Sequence, residues 1–210
     1  MEDVKPLIQL NPVEQRVLGV LLEKSKTTPD YYPMSINALT AGCNQKTSRN
    51  PVVNYDEETV TLTLNALKIK GLASTVTGAG SRTVKWKHNL AIVYPLLPSE
   101  LAILCILLLR GPSTPGEINT NSGRLYEFET IEEVQQTLQK LASDEPSFVR
   151  QLPKRPGQKE MRFMHLFGGD EPAEIAESDE PVNNQSDLEA RVAKLEQEIL
   201  ELKELVNLLI

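Results

Sequence analysis

The raw materials of metal and disulfide chemistry are scarce in this 210-residue chain, which has two cysteines and two histidines. Cys43 and Cys105 lie far apart with no C-x-x-C pair, whereas zinc sites and disulfide frameworks need several ligands at set spacings. Cys105 sits inside an apolar run and reads as a core residue. Cys43 follows Gly42 in what reads as a loop, where nothing around it supports a reactive thiol. This cysteine usage does not point to an oxidising compartment. Long hydrophobic runs are missing too. The longest, residues 101–109, is far short of the ~20 residues a membrane span needs, so it reads as a buried helix and no membrane partner is expected. Met1 is followed by Glu2 and Asp3 rather than a basic start and an apolar stretch, so the expected location is cytoplasmic. P-loop, G-x-G-x-x-G, G-x-S-x-G and H-E-x-x-H motifs are all absent. His88 and His165 read as structural residues. The acid pairs Glu57-Glu58 and Glu132-Glu133 fall at helix starts, where the helix dipole accounts for them. The sequence therefore predicts a non-enzyme with no catalytic residue, metal or cofactor.

The net charge of −7 is unevenly placed. Residues 168–210 hold twelve acids against Arg191, Lys194 and Lys203, which leaves the first 167 residues with a net charge of +2. A near-neutral body with an acidic tail neither demands nor forbids a nucleic-acid partner.

What the chain does contain is one pattern written twice. In the first copy Asn11 reads as an N-cap with Pro12 at the first helical position. Val13, Val17, Leu18, Leu21 and Leu22 then recur at helical spacing as far as Lys24. A loop over residues 27–33 leads to Ser35, which caps a short helix through Ala41 that stops at Gly42. The polar run 43–51 follows, then a third helix over residues 56–70 ending at Gly71. Its Val60, Leu64 and Leu67 fall within ~60° of one another at about 100° per residue. Residues 72–77 and 82–88 read as strands around the turn Gly78-Ala79-Gly80-Ser81. Residues 59–64 alternate with period two and are rich in β-branched side chains, a strand pattern. The acids Asp56, Glu57 and Glu58, the Gly71 stop and the matching segment of the second copy all favour helix instead.

The second copy opens at Pro98-Ser99-Glu100 and runs as an apolar helix to Arg110, halted by Gly111-Pro112. Thr114-Pro115 cap a short helix over residues 117–121. Thr130 caps a third over 131–142, with Glu133 completing a capping box. Val134, Leu138 and Leu141 repeat the spacing of Val60, Leu64 and Leu67. Residues 148–152 and 159–167 read as strands around a turn at 153–158, and Trp86-Lys87-His88 is echoed by Phe163-Met164-His165. Three helices and a hairpin, twice, is the winged-helix plan. The predicted class is mainly α with small β-hairpins (α+β). Winged-helix domains over 7–92 and 95–167 precede an acidic linker over 168–185 and a coiled-coil helix over 186–210.

In that last segment Leu188, Val192, Leu195, Ile199, Leu202, Val206 and Leu209 alternate +4 and +3. Leucine falls at every d position and Val192, Ile199 and Val206 at a, which favours a parallel two-stranded coil. Arg191 faces Glu196 of the other helix, and Glu198 faces Lys203. Packing of this helix back on its own domains is the alternative to a homodimer.

The runs Leu10-Asn11-Pro12-Val13-Glu14-Gln15-Arg16-Val17-Leu18-Gly19, Tyr31-Tyr32-Pro33-Met34-Ser35 and Cys43-Asn44-Gln45-Lys46-Thr47-Ser48-Arg49-Asn50-Pro51-Val52 resemble those of the YceH-like family of uncharacterised bacterial proteins. The resemblance covers roughly residues 7–167. It implies a tandem winged-helix fold in a bacterial cytoplasmic protein, and no activity, ligand or catalytic residue.

Two kinds of partner suit the residues. For double-stranded DNA, the cations near the third helices and wings are Lys46, Arg49, Arg82, Lys85 and Lys87, then Arg150, Lys154, Arg155, Lys159 and Arg162. Gln135, Gln136 and Gln139 stand on the outer face of the second copy's third helix, and glutamine can pair with adenine edges. For a protein partner, Leu62 and Ile69 stand on the outer face of the first copy's third helix beside Glu58 and Asn65, a face without a cation. The heptads add a separate expectation. Deleting residues 186–210 should reduce the solution mass from dimer to monomer by light scattering, and an unchanged mass would rule out their role.

Overall fold

A computed structural model of the chain describes residues 6–77, 84–154 and 160–169. Helix α1 (Pro12–Thr27) starts in a complete capping box. Asn11 Oδ1 accepts the Glu14 N–H at 2.9 Å and the Glu14 carboxylate accepts the Asn11 N–H at 2.8 Å. The helix outlasts its predicted end at Lys24. Near its end the Ser25 and Thr27 hydroxyls donate back to the carbonyls of Leu22 and Glu23. A single 3-10 turn (Pro29–Tyr31) occupies the stretch read as loop.

Ser35 caps α2 (Ile36–Cys43). Gly42 does not end this helix as predicted. A Cβ there would lie 2.7 Å from Val20 Cγ1, so the glycine lets α2 close on α1. Cys43 is therefore the last residue of a helix, not part of a loop, and it is buried. Burial pushes its thiol up to about 12, far from thiolate chemistry. Cys105 is likewise buried in the core.

The ambiguous stretch 59–64 is helical, within α3 (Glu57–Ile69). Asp56 caps it, accepting the Thr59 N–H at 2.7 Å. The Thr61 and Thr63 hydroxyls donate to carbonyls four residues back, and Gly71 stops the chain at φ +76°. Strands β1 (Ala73–Val76) and β2 (Lys85–His88) pair antiparallel, Ala73 opposite His88. Met34 adds an unpredicted bridge, exchanging backbone bonds with Trp86 at 3.0 and 2.7 Å.

A short helix, α4 (Leu90–Val93), leads into the second copy. It was not foreseen, because one turn carries no readable period. Helix α5 (Pro98–Arg110) follows, then α6 (Pro115–Ser122) with the Thr114–Glu117 capping box, and α7 (Ile131–Ser143). The box predicted at Thr130 is only half formed. Thr130 Oγ1 accepts the Glu133 N–H, while the Glu133 carboxylate accepts the Glu129 N–H at 2.9 Å instead. Strands β3 (Val149–Gln151) and β4 (Phe163–His165) pair antiparallel, and Ser113 bridges to Phe163 as Met34 does to Trp86. Among the described residues the architecture is mixed α/β, with seven helices and two small antiparallel hairpins.

The described residues lie in one compact unit with one core. Helix α1 lies against α5, and both are buried along most of their length. At their contact Cys105 Sγ lies 3.5 Å from the Gly19 carbonyl oxygen, and these two residues hold equivalent places in the two copies. The first helices also share a buried acid, each the third residue of its helix. Glu14 meets Lys70 Nζ at 2.7 Å, and Glu100 pairs with Lys140, so each lysine comes from the end of its own copy's third helix. The N-terminal segment joins the copies again, with the Leu10 N–H donating to the Phe167 carbonyl at 2.6 Å.

Gly19 is a close point of the contact between α1 and α5. A Cβ on it would stand 2.8 Å from Leu109 Cδ2 and 3.2 Å from Leu108 Cβ. Gly19→Val should lower stability by about 1–3 kcal/mol through overpacking. A urea midpoint equal to that of the parent would contradict this account.

Candidate functional site

Inward packing of Val60, Leu64 and Leu67, all fully buried, turns the opposite face of α3 outward. Leu62 is 64% exposed and Ile69 88%, two turns apart on that face, with Glu58 and Asn65 also exposed. The start of α3 carries Asp56, Glu57 and Glu58, all at the surface. This face is apolar with an acidic end, as the sequence predicts.

The outer face of α7 is polar. Gln135, Gln136 and Gln139 are exposed, as predicted. Gln135 and Gln139 border a hollow of about 330 Å³ whose other walls include Gln151, Glu160, Met161 and Phe163. Glu160 thus brings a carboxylate to the surface proposed for reading bases. Lys140 is drawn to Glu100, and hydrogen bonding to that carboxylate raises the ammonium above its usual range.

The structure sorts the predicted DNA-contacting cations by exposure and partner. Lys46, Lys85 and Lys154 are exposed, and Lys87 is half-buried next to His88. Arg49 is committed internally, which corrects its reading as a surface contact, whereas Arg162 is half-buried and paired with Glu117 near the surface. Arg49 is fully buried at its side chain and clamps Glu23 with two bonds of 3.1 and 2.7 Å. It also donates to the Gly42 carbonyl and to Gln45 Oε1. Arg162 donates to the Pro112 carbonyl at 2.8 Å and to Glu117 at 3.0 Å. Arg150 is half-buried on β3. Arg82, Arg155, Lys159 and the heptad residues Leu188, Val192, Leu195, Ile199, Leu202, Val206 and Leu209 lie outside the described residues.

Arg49 works with Arg16, which the sequence reading passed over. Arg16 is buried and donates to the Pro51 carbonyl at 2.6 Å, holding the far end of the polar run 43–51. Burial and the neighbouring Arg49 lower the Arg16 guanidinium from its usual value. Burial alone would raise the Glu23 carboxyl, but the bonds and charge of Arg49, aided by Lys24, bring it below the usual range. The clasped loop rests on α5. Asn50 N–H donates to the Leu109 carbonyl at 2.9 Å, and Arg110 Nη2 donates to Ser48 Oγ at 2.7 Å. Ser48 itself adopts φ +60°, a left-handed conformation that L-residues seldom take. An arginine in a polar run resembles a surface cation, and only the position of Glu23 on α1 reveals the pairing.

His88 and His165 end β2 and β4 at matching places. Burial brings each imidazole down to about 4, with Lys26 and Lys87 adding to the effect at His88. Both rings are neutral at pH 7, and the buried Nδ1 of each has no hydrogen-bond partner among the described residues.

A duplicated helix-and-hairpin unit, an apolar helix face and a loop clasped from behind by two buried arginines define a mixed α/β protein. The chain belongs to the family described as "Protein of unknown function, DUF480", whose model matches residues 10–158. It is 48% identical over 208 residues to a UPF0502 protein of Shewanella pealeana, covering 93% of this chain and 96% of that one. A UPF0502 protein of Opitutus terrae is 47% identical over 195 residues, covering 91% and 85%, and one of Solibacter usitatus 47% over 198 residues, covering 93% of each.

The buried clasp separates a structural arginine from a surface one. Removing one partner of a buried ion pair leaves the other charge uncompensated, so Arg49→Met should destabilise by about 3–5 kcal/mol. Lys46→Met, three residues away and exposed, should change stability by no more than about 0.5 kcal/mol. Equal urea midpoints for the two variants would return Arg49 to the surface contacts.

Proposed function

We propose that this protein is a non-enzymatic, tandem winged-helix adaptor that docks a protein partner on the outer face of α3. The fold reading is supported by the order of elements in each copy, three helices then a hairpin, with one residue before the second helix bridging to the returning strand. In a DNA-reading winged helix the third helix lies in the major groove. Here that helix offers Leu62 and Ile69, and this exposed aliphatic pair is the observation that carries the proposal. Phosphates approaching the same helix would meet Asp56, Glu57 and Glu58. Covering a Leu or Ile side chain contributes about 1.5–3 kcal/mol when burial is complete. The partner that fits is an apolar surface flanked by basic side chains facing the acidic start of α3. The C-terminal heptads would present two such faces by pairing two chains, which suits a scaffold.

Duplex DNA is the second reading. It draws on the three exposed glutamines of α7 together with Lys85 and Lys154 at the hairpins. Glu132 and Glu160 beside those glutamines weaken it, as do the burial of Arg49 and the pairing of Arg162 with Glu117.

The two readings separate in one set of measurements. A partner captured by the full chain, then purified, should bind the parent and lose affinity at least tenfold against Leu62→Asp/Ile69→Asp. Both positions are exposed, so the variant should melt like the parent. Retained affinity in the folded variant refutes docking on α3. Binding to duplex DNA that falls steeply with salt and weakens with Lys154→Glu would put the second reading in its place.

A further inference from the structure

A cleft of about 710 Å³ opens where the clasped loop meets α5 and the end of α6. Lys24, Lys46, Arg110 and Arg124 line it, and Glu23 is the one acid among its described lining residues. That acid is already engaged by Arg49 from behind and by Lys24 at 3.2 Å. Among the described residues Arg110 bonds only to the neutral hydroxyl of Ser48. Lys46 and Arg124, both exposed, have no polar partner among the described residues. Three cations thus face a concave surface where the described residues leave no carboxylate to balance them, in a protein whose net charge is −7. Low-dielectric walls concentrate such a field.

We propose that this cleft binds an organic phosphate of about mononucleotide size. The volume falls in the range of about 300–1,000 Å³ typical of small-ligand sites. Guanidinium forks such as those of Arg110 and Arg124 match phosphate oxygens in pairs. Thr47, Thr120 and Asn121 offer neutral polar groups for ligand hydroxyls, while Ile106 and Leu125 supply an apolar floor. The loop needs little ordering on binding, since Arg16 and Arg49 hold it and Ser48 is locked against Arg110. The proposal uses a different set of residues from α3 and does not rest on the adaptor reading.

The test is calorimetric titration of the full chain with AMP and, separately, inorganic pyrophosphate. Both should bind saturably. Lys46→Glu/Arg124→Glu should weaken both at least tenfold, whereas Lys85→Glu/Lys154→Glu, an equal charge change outside the cleft, should leave both affinities within twofold. If the reversed-charge variant does not melt like the parent, Lys46→Gln/Arg124→Gln supplies the comparison, with a loss of at least threefold expected. No saturable heat up to millimolar probe overturns the proposal, as does an equal loss in the cleft and control variants. Pyrophosphate binding without AMP binding overturns the organic-ligand assignment. Duplex binding that depends on Lys46 and Arg124, with neither small probe bound, makes the surface a contact for a nucleic-acid backbone instead.

Discussion

The contact between α1 and α5 at Gly19 is the constraint on which the rest of this molecule depends. Without a side chain at that point the two first helices approach until Leu108 and Leu109 nearly touch the Gly19 backbone. The residues around the contact, Val17, Leu18, Val20, Leu21 and most of α5, then form the middle of one core that serves both copies. Interiors pack at crystal-like density, so a contact this close leaves few alternative arrangements. The other elements follow from it. Helix α2 closes on Val20 through Gly42, and the loop after α2 reaches the end of α5.

Buried charge gives this packing its register. Glu14 and Glu100 each serve two purposes, accepting the N–H of the residue that precedes the helix and gripping a lysine from the third helix. Such pairs add little net stability over a well-packed apolar substitute, yet they are costly to break singly. That asymmetry disfavours any packing in which a third helix slides along its first. Arg49 and Glu23 do the same for the polar loop, which a simple hydrophobic pattern would have left loose.

These internal commitments shape what remains at the surface. Arg49, which looks like a phosphate contact when cations are counted along the chain, is spent on Glu23 inside the molecule. The cations that remain at the surface include Lys46 and Arg124, brought to one cleft from opposite copies. Leu62 and Ile69 stay outside because Val60, Leu64 and Leu67 claim the inner face of the same helix. Surface chemistry here is the remainder after the core has taken what it needs.

Much of this was legible from order and period alone. The repeated +4, +3 triplets, the Asn11-Pro12 start, the stops at Gly71 and Gly111 and the turn signals determined six helices, four strands and the outward direction of Leu62, Ile69 and the α7 glutamines, because such patterns are local properties of the chain. Even the period-two stretch 59–64 resolved to helix through its acidic cap. What the linear chain could not disclose depends on distant partners. The Met34 and Ser113 bridges, Gly42 and Gly19 as packing contacts rather than breaks, the burial of Cys43 and the withdrawal of Arg49 from the surface were decided only when the elements packed together. Their energies come from groups dozens of residues apart, and no periodicity in the sequence encodes a distance.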